Sequence, residues 1–223
     1  NYKNFYLKFF GCGSSILSRS MQMNFKKKFN VNIRNIYGMS EIGVATMDNP
    51  DKDKIYGTIG KPLNGTRIEL INENNKFIKK NNVKGEILVR TPAIFSGYKS
   101  KDNLQKKNLF FKKFFKTGDL GIYNKKNIIF VDRSKDIIIK GGVNVSPQEI
   151  DNCLQQNKNV YLSATIGITD KFYGENIKSF VILKKGKKII QKNLIRYCEK
   201  NIGKFRSPRE IKFVSKLPQT ISG

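Results

Sequence analysis

Three short stretches of the sequence bring together side chains that can do chemistry: YGMSEIG (Tyr37–Gly43), KTGDLGIY (Lys116–Tyr123) and VDRSKDIIIKGGVNVSPQEID (Val131–Asp151). In the first, an aromatic ring, two small residues and a carboxylate follow one another where the apolar run VNIRNIY ends. Strand ends of α/β layers are where ligands gather. In the second, Gly118 permits a tight turn and leaves the Asp119 carboxylate to accept hydrogen bonds. In the third, Arg133 supplies a bidentate fork that Lys cannot copy, in a chain where Lys outnumbers Arg 35 to 8. Each stretch alone also has a bland reading. Tyr37 suits a core aromatic, Glu41 an exposed carboxylate at a helix start, and Arg133 a surface ion pair with Asp132 or Asp136, worth little there. The chain contains no His, which excludes Ser-His-Asp and Cys-His catalysis from it. Any general base must be Lys, Asp, Glu or Tyr.

The elements that would position these residues follow from hydrophobic period. FYLKFF reads as a strand, GCGSS as a tight loop, and Ile16 to Phe29 as a helix, together an α/β layer. VNIRNIY is a short strand ending at the Tyr37 stretch. GTRIELI and KGEILVR predict antiparallel strands of a small barrel or sheet, with the Asn/Lys-rich NENNKFIKKNN between them as a surface insertion. Beyond VDRSKD, DIIIK predicts a strand and GGVN a turn. SPQEIDNCLQQ is a helix with an explicit start: Ser146 at the cap, Pro147 in the first turn and Glu149 three residues after the cap. Strands near Tyr161–Ile168 and Ser179–Leu183, a helix near Leu194–Asn201 and a strand at Glu210–Val214 complete an α+β module.

Composition narrows the function classes. Of the 223 residues, 39% are hydrophobic and 27% charged, enough for a buried core in one large or two small domains. No apolar run approaches the 18 or so residues of a membrane span, and no signal-peptide pattern opens the chain. The net charge of +26 suggests a nucleic-acid binder, but the basic residues are Lys dispersed over every predicted element, mixed with Asn and Ile. That pattern reads as a solvated surface, able to attract anionic ligands, rather than as a base reader, so no nucleic-acid partner is expected. Cys12, Cys153 and Cys198 form no CxxC pair, which argues against a disulfide framework or zinc site and for an intracellular setting.

Taken in order and with GKPLNG (Gly60–Gly65), KGEILVR and SGYKS, the three stretches resemble the adenylate-forming superfamily: acyl-CoA synthetases, aryl-CoA ligases, luciferases and peptide-synthetase adenylation domains. The resemblance covers essentially the whole chain. It implies the end of a large AMP-binding domain over residues 1–132, with an α/β layer over 1–50 and a β-rich part over 51–132. A hinge would join this to a mobile α+β C-terminal domain over 133–223. It implies an ATP-dependent acid–thiol ligase acting on a small carboxylic acid or fatty acid, with Mg2+ and with CoA as co-substrate. By that resemblance Tyr37 lies against adenine, with Gly38 and Met39 beside it. Ser40 contacts phosphate and Glu41 helps hold Mg2+. Asp119 takes both ribose hydroxyls, and Arg133 contacts the ribose or phosphate side. Lys135 marks the hinge, and Gly141 and Gly142 line the path of CoA. Gly11 and Gly13 in FGCGSSIL match a loop that walls the adenine and acid pockets. YGMSEIG most resembles the aryl- and small-acyl-CoA ligases, malonyl-CoA-type synthetases included. The rivals are an adenylation domain that loads a carrier protein and a degenerate module without catalysis.

Two parts of the family pattern are not found in the sequence. The Ser/Thr/Gly-rich phosphate loop upstream of the Tyr-Gly stretch has no match, and neither has GxxxxGK[ST]. In LPQTISG, Pro218, Thr220 and Gly223 match a C-terminal signature whose next residue is a catalytic Lys. The expectation is that residues 1–223 are part of a longer enzyme and inactive alone, since such a Lys stabilises charge that develops during adenylation.

Overall fold

In a computed structural model, the structure describes residues 10–13, 17–53, 55–98, 109–125 and 127–218. The chain divides into two compact units, Asn1–Phe130 and Val131–Gly223, so the division falls two residues ahead of the boundary expected at 132/133. Among the described residues no helix is long and apolar enough to cross a membrane.

The first unit holds two sheets. Strands β1 (Phe10–Cys12), β2 (Ile33–Met39), β3 (Gly43–Met47) and β4 (Lys61–Pro62) form one in that order. The β1–β2 pair is parallel and the other pairs are antiparallel. This layer therefore reaches Pro62, beyond the expected end at residue 50. Helix α1 (Arg19–Phe29) links β1 to β2, and α2 (Pro50–Asp53) follows β3. The helix opens at Ser18, whose hydroxyl accepts from the Met21 amide, and closes at Asn30 in the left-handed region, φ 54°. Its start lies three residues after the expected Ile16, because Ser18 takes the cap. Three lysines in its last turn suit the negative end of the helix dipole. A buried polar network ties α1 to this sheet. Gln22 Nε2 donates to Asp48 Oδ2 at 2.7 Å, and Asp48 Oδ1 accepts from the Asn35 amide at 2.7 Å. Burial pushes the Asp48 carboxyl above its usual value.

The second sheet runs β10 (Asn127–Arg133, its last three residues counted with the second unit), β9 (Phe114–Asn124), β7 (Lys84–Arg90), β5 (Arg67–Ile71), β6 (Phe77–Ile78), with β8 (Phe110–Phe111) against β9. Strand β6 sits inside the Asn/Lys-rich segment expected to be a loop. Its two apolar residues pair with Leu70 and Ile71, and Ile78 enters the core. The β8–β9 turn is Lys112–Lys113, both at positive φ, 46° and 68°. That twist matches a two-residue hairpin usually built with Asn and Gly. Ile42, Leu70, Ile87 and Val89 are completely or almost completely buried at the centre of this unit, each side chain contributing about 1.5–3 kcal/mol.

In the second unit β11 (Ile138–Lys140), β12 (Val143–Val145), β13 (Val160–Asp170), β14 (Gly174–Leu183) and β15 (Glu210–Phe213) form one sheet, ordered β12-β11-β14-β13 with β15 parallel to β14. Helices α3 (Pro147–Gln156) and α4 (Gln191–Ile202) bury Ile150, Leu154, Leu194 and Cys198 against Val160, Ile177 and Val181. Cys153 joins the same core. The start of α3 is built as the sequence indicates. Ser146 Oγ accepts from the Glu149 amide at 3.2 Å, a cap that contributes about 1 kcal/mol. Asp132 reinforces it by accepting from Ser146 Oγ at 2.6 Å and the Gln148 amide at 3.1 Å.

Asp170 closes the β13–β14 hairpin. Its carboxyl is held down to about 2 by the Asn176 side chain and then by the Tyr173 and Phe172 amides. A carboxyl depressed in the folded state stabilises that state above its unfolded value, 3.8, and loses the contribution as pH falls toward 2. Asp170→Asn should therefore flatten the loss of thermal stability between about pH 4 and pH 2, read as melting temperature against pH. An unchanged acid limb would show that the hairpin does not depend on this charge.

Candidate functional site

The turn after β2 presents the first group of candidate residues. The Ile42 amide donates to the Met39 carbonyl at 3.1 Å, and Ile42 is completely buried. With both ends of the turn anchored, Ser40 stands exposed at its tip and Glu41 is half-buried. Tyr37 and Met39 lie partly buried against the core of this unit. Gly38 lies at a shift in the β2–β3 register, between Tyr37 and Gly38. A Cβ there would come within 2.2 Å of the Gly43 carbonyl oxygen.

Asp119 arrives from the second sheet. The β7–β9 register shifts between Glu86 and Leu88, which puts Thr117–Asp119 in a bulge, with Gly118 at φ 71°. The backbone freed by the bulge is satisfied locally. Thr117 Oγ1 donates to the Ile87 carbonyl at 2.7 Å, and the Gly118 amide donates to Glu86 Oε1 at 3.1 Å. The Asp119 amide donates to Thr117 Oγ1 at 3.1 Å. Bulges re-aim side chains and favour the neighbourhood of active sites. Here the two irregularities flank a pair that meets: the Tyr37 hydroxyl donates to Asp119 Oδ2 at 2.8 Å. Asp119 is only 4% exposed. A buried carboxylate beside an aromatic ring can take charge-assisted hydrogen bonds from a polar ligand whose flat part lies on that ring.

Glu41 has a partner in the SGYKS stretch, where the motifs assign no role. The Tyr98 hydroxyl donates to Glu41 Oε1, and that bond pushes the Tyr98 phenol up to about 12. The two residues are 57 positions apart, and Tyr98 sits in a segment with no element of its own, so only the packing shows the pair.

Gly11 and Gly13 are not both in the expected loop. Gly11 and Cys12 belong to β1, where Gly11 pairs with Arg34, because the parallel partner β2 extends the strand past Phe10. A Cβ on Gly13 would meet the Ile36 carbonyl oxygen at 3.4 Å, an ordinary contact, so the backbone here does not demand glycine. The intervening Ser14, Ser15 and Ile16 lie outside the described residues, as do Thr220 and Gly223.

In the second unit, Arg133 ends β10 and is exposed. Both oxygens of the neighbouring Asp132 accept from the α3 start and from the Arg133 amide, so that carboxylate serves as a helix cap. Lys135 is exposed in a 3-10 turn, Ser134–Asp136. Gly141 and Gly142 form the β11–β12 turn at φ 54° and 77°. Beneath them Lys140 is 7% exposed. Its ammonium donates to the Phe205 carbonyl at 2.9 Å and lies 4.9 Å from the Phe205 ring centre. Burial lowers its pKa, opposed by the nearby Asp170. The sequence reading placed the lysines on a solvated surface, and Lys140 departs from it because two aromatic rings and a carbonyl replace water.

The AMP-binding enzyme family matches residues 2–99, and the AMP-binding enzyme C-terminal domain family matches residues 149–223. The sulfoacetate–CoA ligase of Cupriavidus necator is 27% identical over 220 residues, 97% of this chain and 43% of that protein. The oxalate–CoA ligase of Saccharomyces cerevisiae is 27% identical over 222 residues, 98% of this chain and 40% of that protein. Among solved structures, ATP-bound MatB from Rhodopseudomonas palustris superposes with a TM-score of 0.90 at 29% identity, covering 96% of this chain and 43% of that one. The chain thus spans about two fifths of the length of the relatives it matches.

Proposed function

We propose that this chain, which belongs to the AMP-binding enzymes of the adenylate-forming superfamily, carries part of the machinery of an acyl-CoA synthetase. In the proposed reaction a carboxylate oxygen attacks the α-phosphorus of ATP, forming an acyl-adenylate and releasing pyrophosphate. The thiol of CoA then attacks the acyl carbon, the carbon–oxygen bond to AMP breaks, and the thiol proton leaves. The observation that carries the reading is the meeting of Tyr37 and Asp119, brought from two separate stretches to 2.8 Å. A purine can lie on the Tyr37 ring while the vicinal ribose hydroxyls donate to the buried carboxylate. Relatives named as CoA ligases support the thiol as acyl acceptor.

In this reading the exposed Ser40 hydroxyl faces the phosphates, with Gly38 and Met39 shaping the floor beside the base. Glu41 suits Mg2+ chemically, because a carboxylate is a hard oxygen donor. A cation held by one carboxylate and the substrate's own phosphates needs no more. Bound there, Mg2+ would offset the triphosphate charge that opposes attack. Arg133 would contact the ribose or phosphate side. Gly141 and Gly142 would line the CoA path with backbone free of bulk. The acid is assigned as a class, a small carboxylic or fatty acid, and the setting is intracellular, where ATP and CoA are found.

Lys135 is the proposed pivot between the two half-reactions, and it provides the test. Proline fixes φ near −65°, so Lys135→Pro restricts rotation about the hinge residue. In the whole protein, with a panel of short, aromatic and long acids, wild type should release pyrophosphate only with acid and form thioester only with CoA. Lys135→Pro should slow thioester formation at least about tenfold more than adenylation. ATP binding without acid-dependent pyrophosphate release would overturn the synthetase. Equal slowing of both steps would remove Lys135 as pivot.

A further inference from the structure

We propose that Tyr98 is a positioning residue for Glu41: its hydroxyl holds one carboxylate oxygen so that the other is presented to a divalent cation arriving with the nucleotide. The inference rests on the nucleotide reading of the site given above. Glu41 stands in the three-residue turn of Ser40, Glu41 and Ile42, half-buried, and a long side chain there has many rotamers open to it. One segment restrains both the backbone and the side chain of Glu41. The Phe95 amide donates to the Glu41 carbonyl at 2.9 Å, and the Tyr98 hydroxyl donates to Oε1. The phenol is itself braced from the core outward. Its ring packs edge-on against Phe95 at 4.9 Å, and Phe95 packs edge-on against the buried Phe115 at 5.5 Å. Tyr98 nevertheless remains 43% exposed, so it is not there to fill the core.

The chemistry of the partner also points to positioning. In a chain with 35 Lys, the group on Glu41 is a neutral phenol. A lysine would cancel the carboxylate charge and repel a cation, whereas a hydroxyl donor orients the carboxylate and leaves the charge in place. Among the described residues no other group is hydrogen-bonded to this carboxylate, which leaves Oε2 to a ligand. Groups that orient metal-binding carboxylates from behind are worth roughly 10–100-fold in metal affinity.

The test is calorimetric binding of ATP to the whole protein, in Mg2+ or in excess EDTA. Wild type should bind ATP more tightly with Mg2+. Tyr98→Phe keeps the ring packing and removes only the hydroxyl, so the Mg2+-dependent gain should fall about tenfold while metal-free affinity stays put. Glu41→Gln should lose the gain, and the double variant should lose no more than Glu41→Gln alone. A full Mg2+ gain in Tyr98→Phe overturns the proposal, and so does an equal loss with and without Mg2+, which would mark Tyr98 as merely structural. Wild type that fails to bind ATP under either condition would instead overturn the nucleotide reading itself, and the positioning of Glu41 with it.

Discussion

Asp119→Ala in the whole protein is expected to weaken ATP binding by at least about a hundredfold, and acid-dependent pyrophosphate release with it. Two hydrogen bonds from ribose to an ionised carboxylate would be lost, each worth roughly 1.5–3 kcal/mol, from a residue only 4% exposed. The variant also strips the Tyr37 hydroxyl of the carboxylate it donates to, so a stability loss of about 1–3 kcal/mol should accompany it. The two effects separate cleanly. Tyr37→Phe removes the same internal bond yet keeps the carboxylate, and should retain most of the ATP affinity. Calorimetric titration of both variants, beside urea unfolding of each, reads the difference. Equal ATP affinity in Asp119→Ala and wild type would mean that ribose is bound elsewhere.

Gly38→Ala is expected to cost about 3 kcal/mol of stability, the upper range for overpacking. The new methyl would sit 2.2 Å from the Gly43 carbonyl oxygen and 2.9 Å from the Val44 Cα. Both are backbone atoms and cannot rotate away as a side-chain tip does. Relief requires β3 to move off β2, which would open the turn that presents Ser40 and Glu41. Equilibrium urea unfolding should show the loss, with Mg2+-ATP binding weakened in parallel. A near-wild-type midpoint would show that the two strands separate at little cost. Gly142 makes a useful contrast. A Cβ there would meet nothing, and only its φ of 77° resists substitution, a penalty of about 1–2 kcal/mol.

Local signals in the sequence led to correct local structure. The Ser146-Pro147-Glu149 pattern predicts the α3 start because capping is written within four residues. The short apolar run of KGEILVR predicts β7, whose Ile87, Leu88 and Val89 are buried on both faces of the sheet. The same locality explains the failures. Phe77 and Ile78 are two apolar residues in a polar run, too few to show a period, and they become a strand only because Leu70 and Ile71 stand ready to pair. The start of α1 was misplaced because an apolar Ile16 carried the helical period past the true cap at Ser18. At the site, the motif stretches indicated Tyr37, Glu41 and Asp119, and the fold brings the first and last of these together. Tyr98 and Lys140 lie in quoted stretches, SGYKS and DIIIK, but their roles are not legible there because they are set by neighbours 57 and 65 positions away. A tyrosine or lysine code letter says nothing about such distances.

The separation of Tyr37 and Asp119 along the chain bears on how the protein reaches its folded form. The bond between them closes a span of 82 residues, whereas the β13–β14 hairpin is closed by Asp170 and Gly174. Chain-closure entropy makes the longer span less favourable by about 2–3 kcal/mol, and contacts of long span form slowly. The hairpin of the second unit therefore has a head start, while the pocket in the first is assembled late. Late assembly leaves the chain for a time with its ring and carboxylate apart, and with them the proposed nucleotide site unformed. A saturating ligand then acts chiefly on the rate of unfolding, since it grips only what the transition state has yet to build.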